Sequence, residues 1–172
     1  MIAAVHAPNV KLAASSALVL LLSYGCSQRP AEQPPLVGAW RSAVRFRTGA
    51  FATVQNLEFM YVFNAGGTLT ESSNYDGAPP VPPAYGVWRA VGANVFEATY
   101  EFFSTAPPAS FDVLKGGGGW LPSGRGVLVE RITLSTDGQA FTSSLRYEAR
   151  DAQGNVSPGG GDGDGHARRI GS

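Results

Sequence analysis

The sequence predicts an all-β domain, an antiparallel up-and-down barrel of seven to eight strands. Three observations lead there. In "FEATYEFF" Phe96, Ala98, Tyr100 and Phe102 fall on one side, and Glu97, Thr99 and Glu101 on the other; this two-residue period marks a strand with one buried and one wetted face. No comparable stripe with the period of a helix occurs after residue 36. Turn residues recur between the alternating runs: "NAGGT" at 64–68, Gly92 and Asn94, "STDGQ" at 135–139 and "DAQGN" at 151–155. Gly and Asn supply the positive φ that hairpin loops need. Closing such a meander removes its exposed edges. An immunoglobulin-like sandwich ranks second, because it uses shorter strands and Greek-key links.

Taken in order, a first strand at 37–47 sets Trp40, Val44 and Phe46 against Arg41, Arg45 and Arg47. Strands at 51–64 and 68–76 flank "NAGGT", and "GAPPVPPA" at 77–84 is the first longer connection. Strands at 85–92 and 94–104 come next. The span 104–124 follows and contains "KGGGGW", which lacks the trailing Gly-Lys-Ser/Thr of a phosphate-binding loop and reads as a rim loop or lid carrying Trp120. The last clear strands are 126–134 and 139–150, where Phe141, Leu145 and Tyr147 oppose Thr142, Arg146 and Glu148. "PGGGDGDGH" at 158–166 is too rich in glycine to hold regular structure unaided. The barrel is therefore assigned to 36–156 and a Gly-rich tail to 157–172, with 166–170 available as an eighth strand.

The chain of 172 residues, 44% of them hydrophobic, suits one domain. Before that domain, Lys11 precedes an apolar run at 12–22. The run falls short of the roughly 20 residues a helix needs to span a bilayer and fits the h-region of a secretory signal peptide. Gly25 then stands directly before Cys26, the only cysteine. This arrangement resembles the lipobox of bacterial lipoproteins. The resemblance implies a signal peptide at 1–25, a diacylglycerol on Cys26 and a lipid-anchored place in the cell envelope. Two acyl chains meet the requirement for stable anchoring. Ser27 rather than Asp after the cysteine implies the outer membrane, on its periplasmic side or surface, if the cell is Gram-negative. Residues 26–35, polar and proline-bearing, read as a disordered tether.

With 13 basic and 13 acidic residues the chain has no net field to draw it to nucleic acid or to an anionic membrane. A single cysteine forms no internal disulfide. The two histidines are His6, inside the signal segment, and His166 in the Gly-rich tail, so Ser-His, Cys-His and zinc arrangements cannot be assembled. "GGGDGDG" offers two carboxylates where a calcium loop needs about 6–8 oxygens. No cofactor, metal or enzymatic activity is expected on these grounds.

The inward-facing sets are aromatic: Trp40, Phe46, Phe59, Tyr61, Phe63, Trp88, Phe96, Tyr100, Phe102, Phe141 and Tyr147. Alternation also places two carboxylates on apolar faces. Glu71 falls with Leu69 and Tyr75, and Glu130 with Leu128, Ile132 and Leu134. A carboxylate inside a barrel is costly unless paired or hydrogen-bonded. Each therefore orients the polar head of a ligand or forms a buried ion pair with Arg89 or Arg131, unless a bulge turns it to solvent. The candidate ligand contacts are Glu71, Trp88, Tyr100, Glu130 and Tyr147.

"VGAW" at 37–40 is similar to the Gly-x-Trp motif of lipocalins, with Gly38 and Trp40 in the matching places. The runs "YGVWRAVGANVFEATYEFF" at 85–103 and "ITLSTDGQ" at 132–139 resemble those of bacterial lipocalin-like, calycin-type proteins of uncharacterised function. The resemblance implies a barrel whose closed end is plugged by Trp40 and covered by a late arginine, Arg169 or else Arg168 or Arg150. It also implies an open cup for a small hydrophobic molecule. Two other functions stay open on the sequence. One is a solidly packed barrel whose arginine stripe (Arg41, Arg45, Arg47) meets an unknown protein partner in the envelope. The other is an isomerase- or cyclase-type enzyme using Glu71 or Glu130.

Overall fold

The computed structural model describes residues 34–75 and 82–171. The expected signal peptide, Cys26 and nearly all of the tether lie outside the described residues. Eight strands run in chain order: β1 (Gly38–Phe46), β2 (Leu57–Phe63), β3 (Thr68–Ser73), β4 (Ala84–Ala90), β5 (Val95–Ala106), β6 (Leu121–Leu134), β7 (Ala140–Asp151) and β8 (Val156–Arg169). Each pairs antiparallel with the next, and β8 returns to β1 to close the barrel. The fold is the all-β up-and-down barrel that the two-residue period predicts.

Alternation accounts for the core. In β1, Trp40, Ser42, Val44 and Phe46 are buried while Arg41, Ala43 and Arg45 are exposed. The same phase runs through β5, β6 and β7. Aromatic rings fill the interior, and the charged residues ride outside. There Arg89 and Arg131 both bond Glu97 at 2.8 Å, and Arg125 bonds Glu101 at 3.2 Å. The expected buried ion pair of Glu71 or Glu130 with Arg89 or Arg131 is thus not formed, because both arginines stand on outward positions beside Glu97. In the arginine stripe, Arg47 pairs with Asp164, and Arg41 and Arg45 face solvent.

The largest departure from the sequence reading is β8. Residues 157–165 are not a tail but most of a 14-residue strand, the one that closes the barrel. Gly161, Gly163, Gly165 and Ala167 take the inward places, and Asp162, Asp164, His166 and Arg168 the outward ones. Glycine is a poor strand former in isolation, but here both neighbours hold its backbone: Gly163 pairs with Phe46 on one side and Leu145 on the other. Its missing side chain is also required. A Cβ at Gly163 would lie 2.8 Å from the Arg45 carbonyl oxygen and 3.2 Å from the Phe46 ring. The two aspartates, facing outward along a strand, do not gather as a calcium loop would. Among the described residues no group of three or more potential metal ligands converges.

Two further boundaries move. The second strand begins at Leu57, not at residue 51, because the chain turns through Ala52 N–H to Gly49 O and Val54 N–H to Phe51 O before entering the sheet. Strands β5 and β6 extend to Ala106 and back to Leu121, past a register shift at Ser104/Thr105, and one short helix, α1 (Phe111–Lys115), caps this arm. At a single turn, α1 is too brief to show a helical period in the sequence.

The two ends of the barrel differ. One carries the hairpins at 64–67, 91–94 and 135–139 together with residues 34–37 and the end of β8. The other carries the connections at 47–56 and 107–120, the turn at 152–155, and the described flanks 74–75 and 82–83.

Candidate functional site: a cup with an acidic floor

The hairpin end is sealed. Trp40 is fully buried, its indole N–H donates to the Leu36 carbonyl at 2.9 Å, and it packs on Phe141 at 5.1 Å between centroids. Arg169, the register partner of Trp40, lays its guanidinium over the indole at 4.3 Å, a cation–π contact. The same group donates to the carbonyls of Pro35, Val37 and Gly138 at 2.6, 2.8 and 3.2 Å. Gly38 makes this possible. It holds a φ of 135°, and a Cβ there would stand 2.5 Å from Arg169 Nη1. Arg169 is therefore the covering arginine, while Arg168 faces outward and Arg150 lies at the far end.

Above this plug sits a polar chain inside an otherwise apolar core. Tyr100 donates to Glu130 Oε2 at 2.9 Å, and the Tyr61 and Tyr100 hydroxyls lie 3.3 Å apart. A phenol has one proton. Tyr100 gives its proton to Glu130, so Tyr61 is the donor to Tyr100. Glu130 Oε1, Glu71 Oε1 and Ser143 Oγ are buried without a hydrogen-bond partner. Burial pushes the Glu130 carboxyl above its ordinary range, and the nearby hydroxyls of Ser143, Tyr100 and Tyr61 draw it partly back, the Ser143 hydroxyl without reaching bonding geometry. Glu71, on β3 opposite Tyr61, is 5% exposed. Burial first, and the charge of Glu130 second, raise its pKa to about 8. Burial likewise lifts Tyr61 and Tyr100 well above the usual phenol value.

Toward the other end the core opens into a cavity of about 260 Å³. Phe46, Leu57, Phe59, Leu128 and Tyr147 form its walls, with Phe51 and Phe102 above them and Tyr75, Ser104 and Thr105 at the rim. Glu71 borders it as the acidic group of the floor. Phe102 stacks on Tyr147 with centroids 6.2 Å apart, its ring lying over Gly126, where no side chain competes for the space. Phe51 meets Tyr147 at 4.8 Å and Tyr75 at 5.8 Å, edge to face.

Of the residues expected to meet a ligand, Glu71 and Tyr147 line this cup, whereas Tyr100 and Glu130 sit beneath it and communicate through Tyr61 and Glu71. Trp88 belongs elsewhere. Its indole donates to the Asn64 and Thr68 carbonyls at 3.1 Å, and its ring packs on Phe63 and Phe96 near the sealed end. The sequence reading missed Phe51 as a wall, having placed it in a strand. The available signal was Gly49 two residues before it, a residue that favours a turn and that in the structure holds a φ of 82°. Ser143 was also missed, a small polar residue on an inward phase.

No family model matches the chain, and no curated protein does. Among solved structures, the chain is similar to a tryptophan-to-alanine mutant of the vaccine antigen Transferrin Binding Protein B from Haemophilus parasuis, at 16% identity and a TM-score of 0.30. The match covers 77% of this chain and 25% of that one. This chain thus spans about a quarter of that neighbour's length, and the likeness is too distant to assign a family.

Proposed function

We propose that the chain is a lipid-anchored envelope protein whose lipocalin-like barrel binds a small apolar molecule in the cup. The observation carrying this reading is the cavity: about 260 Å³, walled by phenyl rings and leucines, with one carboxyl on its floor. Ligand sites run to roughly 300–1,000 Å³ and combine apolar walls with a few polar groups; this one, at about 260 Å³, lies just below that range and suits a one- or two-ring molecule. The Trp40–Arg169 plug favours the lipocalin likeness, and a barrel of eight strands is just wide enough to hold one small ligand. Glu71 acts here as the recognition group, with Glu130 held beneath the cup on Tyr100. The anchor rests on Gly25 and Cys26 in the sequence.

The test uses the full chain with Cys26→Ser, so that no acyl chain competes for the cup. Uptake of the neutral fluorophore phenylnaphthylamine should be saturable, and Ser73→Trp, which plugs the rim, should weaken it about tenfold or more. Absence of uptake by the unplugged protein overturns the carrier reading. Incorporation of labelled fatty acid by the unaltered chain, lost in Cys26→Ser, checks the anchor separately.

A further inference from the structure

The interior has a charge imbalance that its own residues do not resolve. Among the described residues the buried ionisable acids are Glu71 and Glu130, and no arginine, lysine or histidine is buried with them. Among the described residues, the ion pairs Arg47–Asp164, Arg89–Glu97, Arg125–Glu101, Arg131–Glu97 and Arg150–Glu148 lie on the outside. Two carboxyls in a low-dielectric space without a cation must hold protons or meet a positive charge brought from outside. Only Glu71 borders the cavity, it is 95% buried by its 5% exposure, and its Oε1 lacks a partner. The walls around it are ring faces of Phe46, Phe51, Phe59 and Tyr147, surfaces that attract a cation through their quadrupoles and gain from burial of an apolar body. An anionic head, such as that of a fatty acid, would meet Glu71 with no cation beside it to neutralise either charge.

We infer that the cup takes an amphipathic amine, its compact apolar body among the rings and its ammonium group against the Glu71 carboxylate. This rests on the cup being a binding site at all. Binding is coupled to proton release. The ammonium ion keeps its own proton, the Glu71 carboxyl gives one up to solvent, and an N–H⁺···⁻O contact forms in its place. With Glu71 titrating at about 8, amine affinity rises as pH climbs toward that value, by about tenfold per pH unit below it. The other groups facing Glu71 do not imitate this. Tyr61 on β2, Tyr100 on β5 and Tyr147 on β7 are all shifted upward by burial and stay protonated. Ala84, the partner on β4, and the inward residues of β1 carry no titratable group, and the inward-phase charge of β8, Arg169, lies at the sealed end over Trp40. Tyr75 stands at the rim beyond β3, and Glu130 on β6 remains hydrogen-bonded to Tyr100.

The experiment compares phenylbutylamine, phenylbutanol and phenylbutanoate by calorimetry on the full chain carrying Cys26→Ser, between about pH 6 and pH 8. The expected result at pH 8 is an amine bound about tenfold tighter than the alcohol, and a carboxylate bound more weakly than either. Amine affinity should fall toward pH 6 while alcohol affinity stays level. Glu71→Gln should remove the amine's preference over the alcohol and, with it, the pH dependence of amine binding. If the alcohol binds and the amine gains nothing over it, or gains it independently of pH, the amine inference is overturned and the cup survives. If none of the three binds, the cup falls and the inference with it. The pH profile of the protein with Glu71 in place decides the matter even if Glu71→Gln does not fold.

Discussion

Glu71 holds a proton in the folded barrel at a pH where an unfolded chain has released it. Its pKa rises from an ordinary 4.5 to about 8. Between those values the native state binds more protons than the unfolded state, so stability declines as pH rises, by up to about 1.4 kcal/mol per unit. Below 4.5 both states are protonated and the penalty vanishes; above 8 it is complete. Glu71→Gln should therefore stabilise the barrel by on the order of 2–3 kcal/mol at neutral pH and flatten the slope. Urea midpoints of both proteins at pH 5 and pH 8 measure this. A slope unchanged by the substitution would mean that Glu71 ionises freely in the fold. Under the proposed function, Glu71 is a binding group that lowers the stability of the empty protein, a common cost of function. The inward phase of Glu71 and Glu130 was legible from alternation alone, since the side-chain period in a strand is two. Their partners were not. Glu130 meets Tyr100 and Tyr61 through the register of β2, β5 and β6, and local sequence carries no record of register between distant strands.

Among the elements, β8 shows where propensity and pattern disagree and pattern wins. "GDGDGHAR" alternates small and polar residues as strictly as β5 alternates aromatic and polar ones. Read by composition it is a loop; read by period it is a strand whose inner face is nearly bare. The bare face is needed because Phe46 and Tyr147, from the neighbouring strands, already fill the space in front of it. Gly165→Val should therefore force branched carbon into the Ser42 and Ser143 hydroxyls that a Cβ there would meet, costing about 1–3 kcal/mol by overpacking. Asp162→Val, one strand face away and exposed, should change the unfolding free energy read from urea titration by no more than about 0.5 kcal/mol. Equal effects of the two substitutions would remove the assigned phase of the strand. The remaining boundaries erred for a different reason: residues 51–56 and 111–115 are short, locally closed turns, and an apolar residue such as Phe51 in a turn looks like one in a strand until the sheet excludes it.

At the scale of the whole molecule, the barrel is one continuous hydrogen-bonded circuit whose seam joins its first strand to its last. Arg41, Ala43 and Arg45 face Arg168, His166 and Asp164 across more than a hundred intervening residues. Until β8 is in place, β1 and β7 both present raw edges, and the β1–β8 pairing on which closure depends joins residues far apart in the sequence. Closure of the barrel must then wait for β8 to be made. A chain stopped after residue 155 should be produced as aggregate or degraded, whereas one stopped after residue 170 should remain monomeric and show the same thermal midpoint as the full chain. Sedimentation and calorimetry of the two truncations test this. The poorest strand former in the protein thus serves as its timing device, the clasp that decides when the polypeptide commits to its shape.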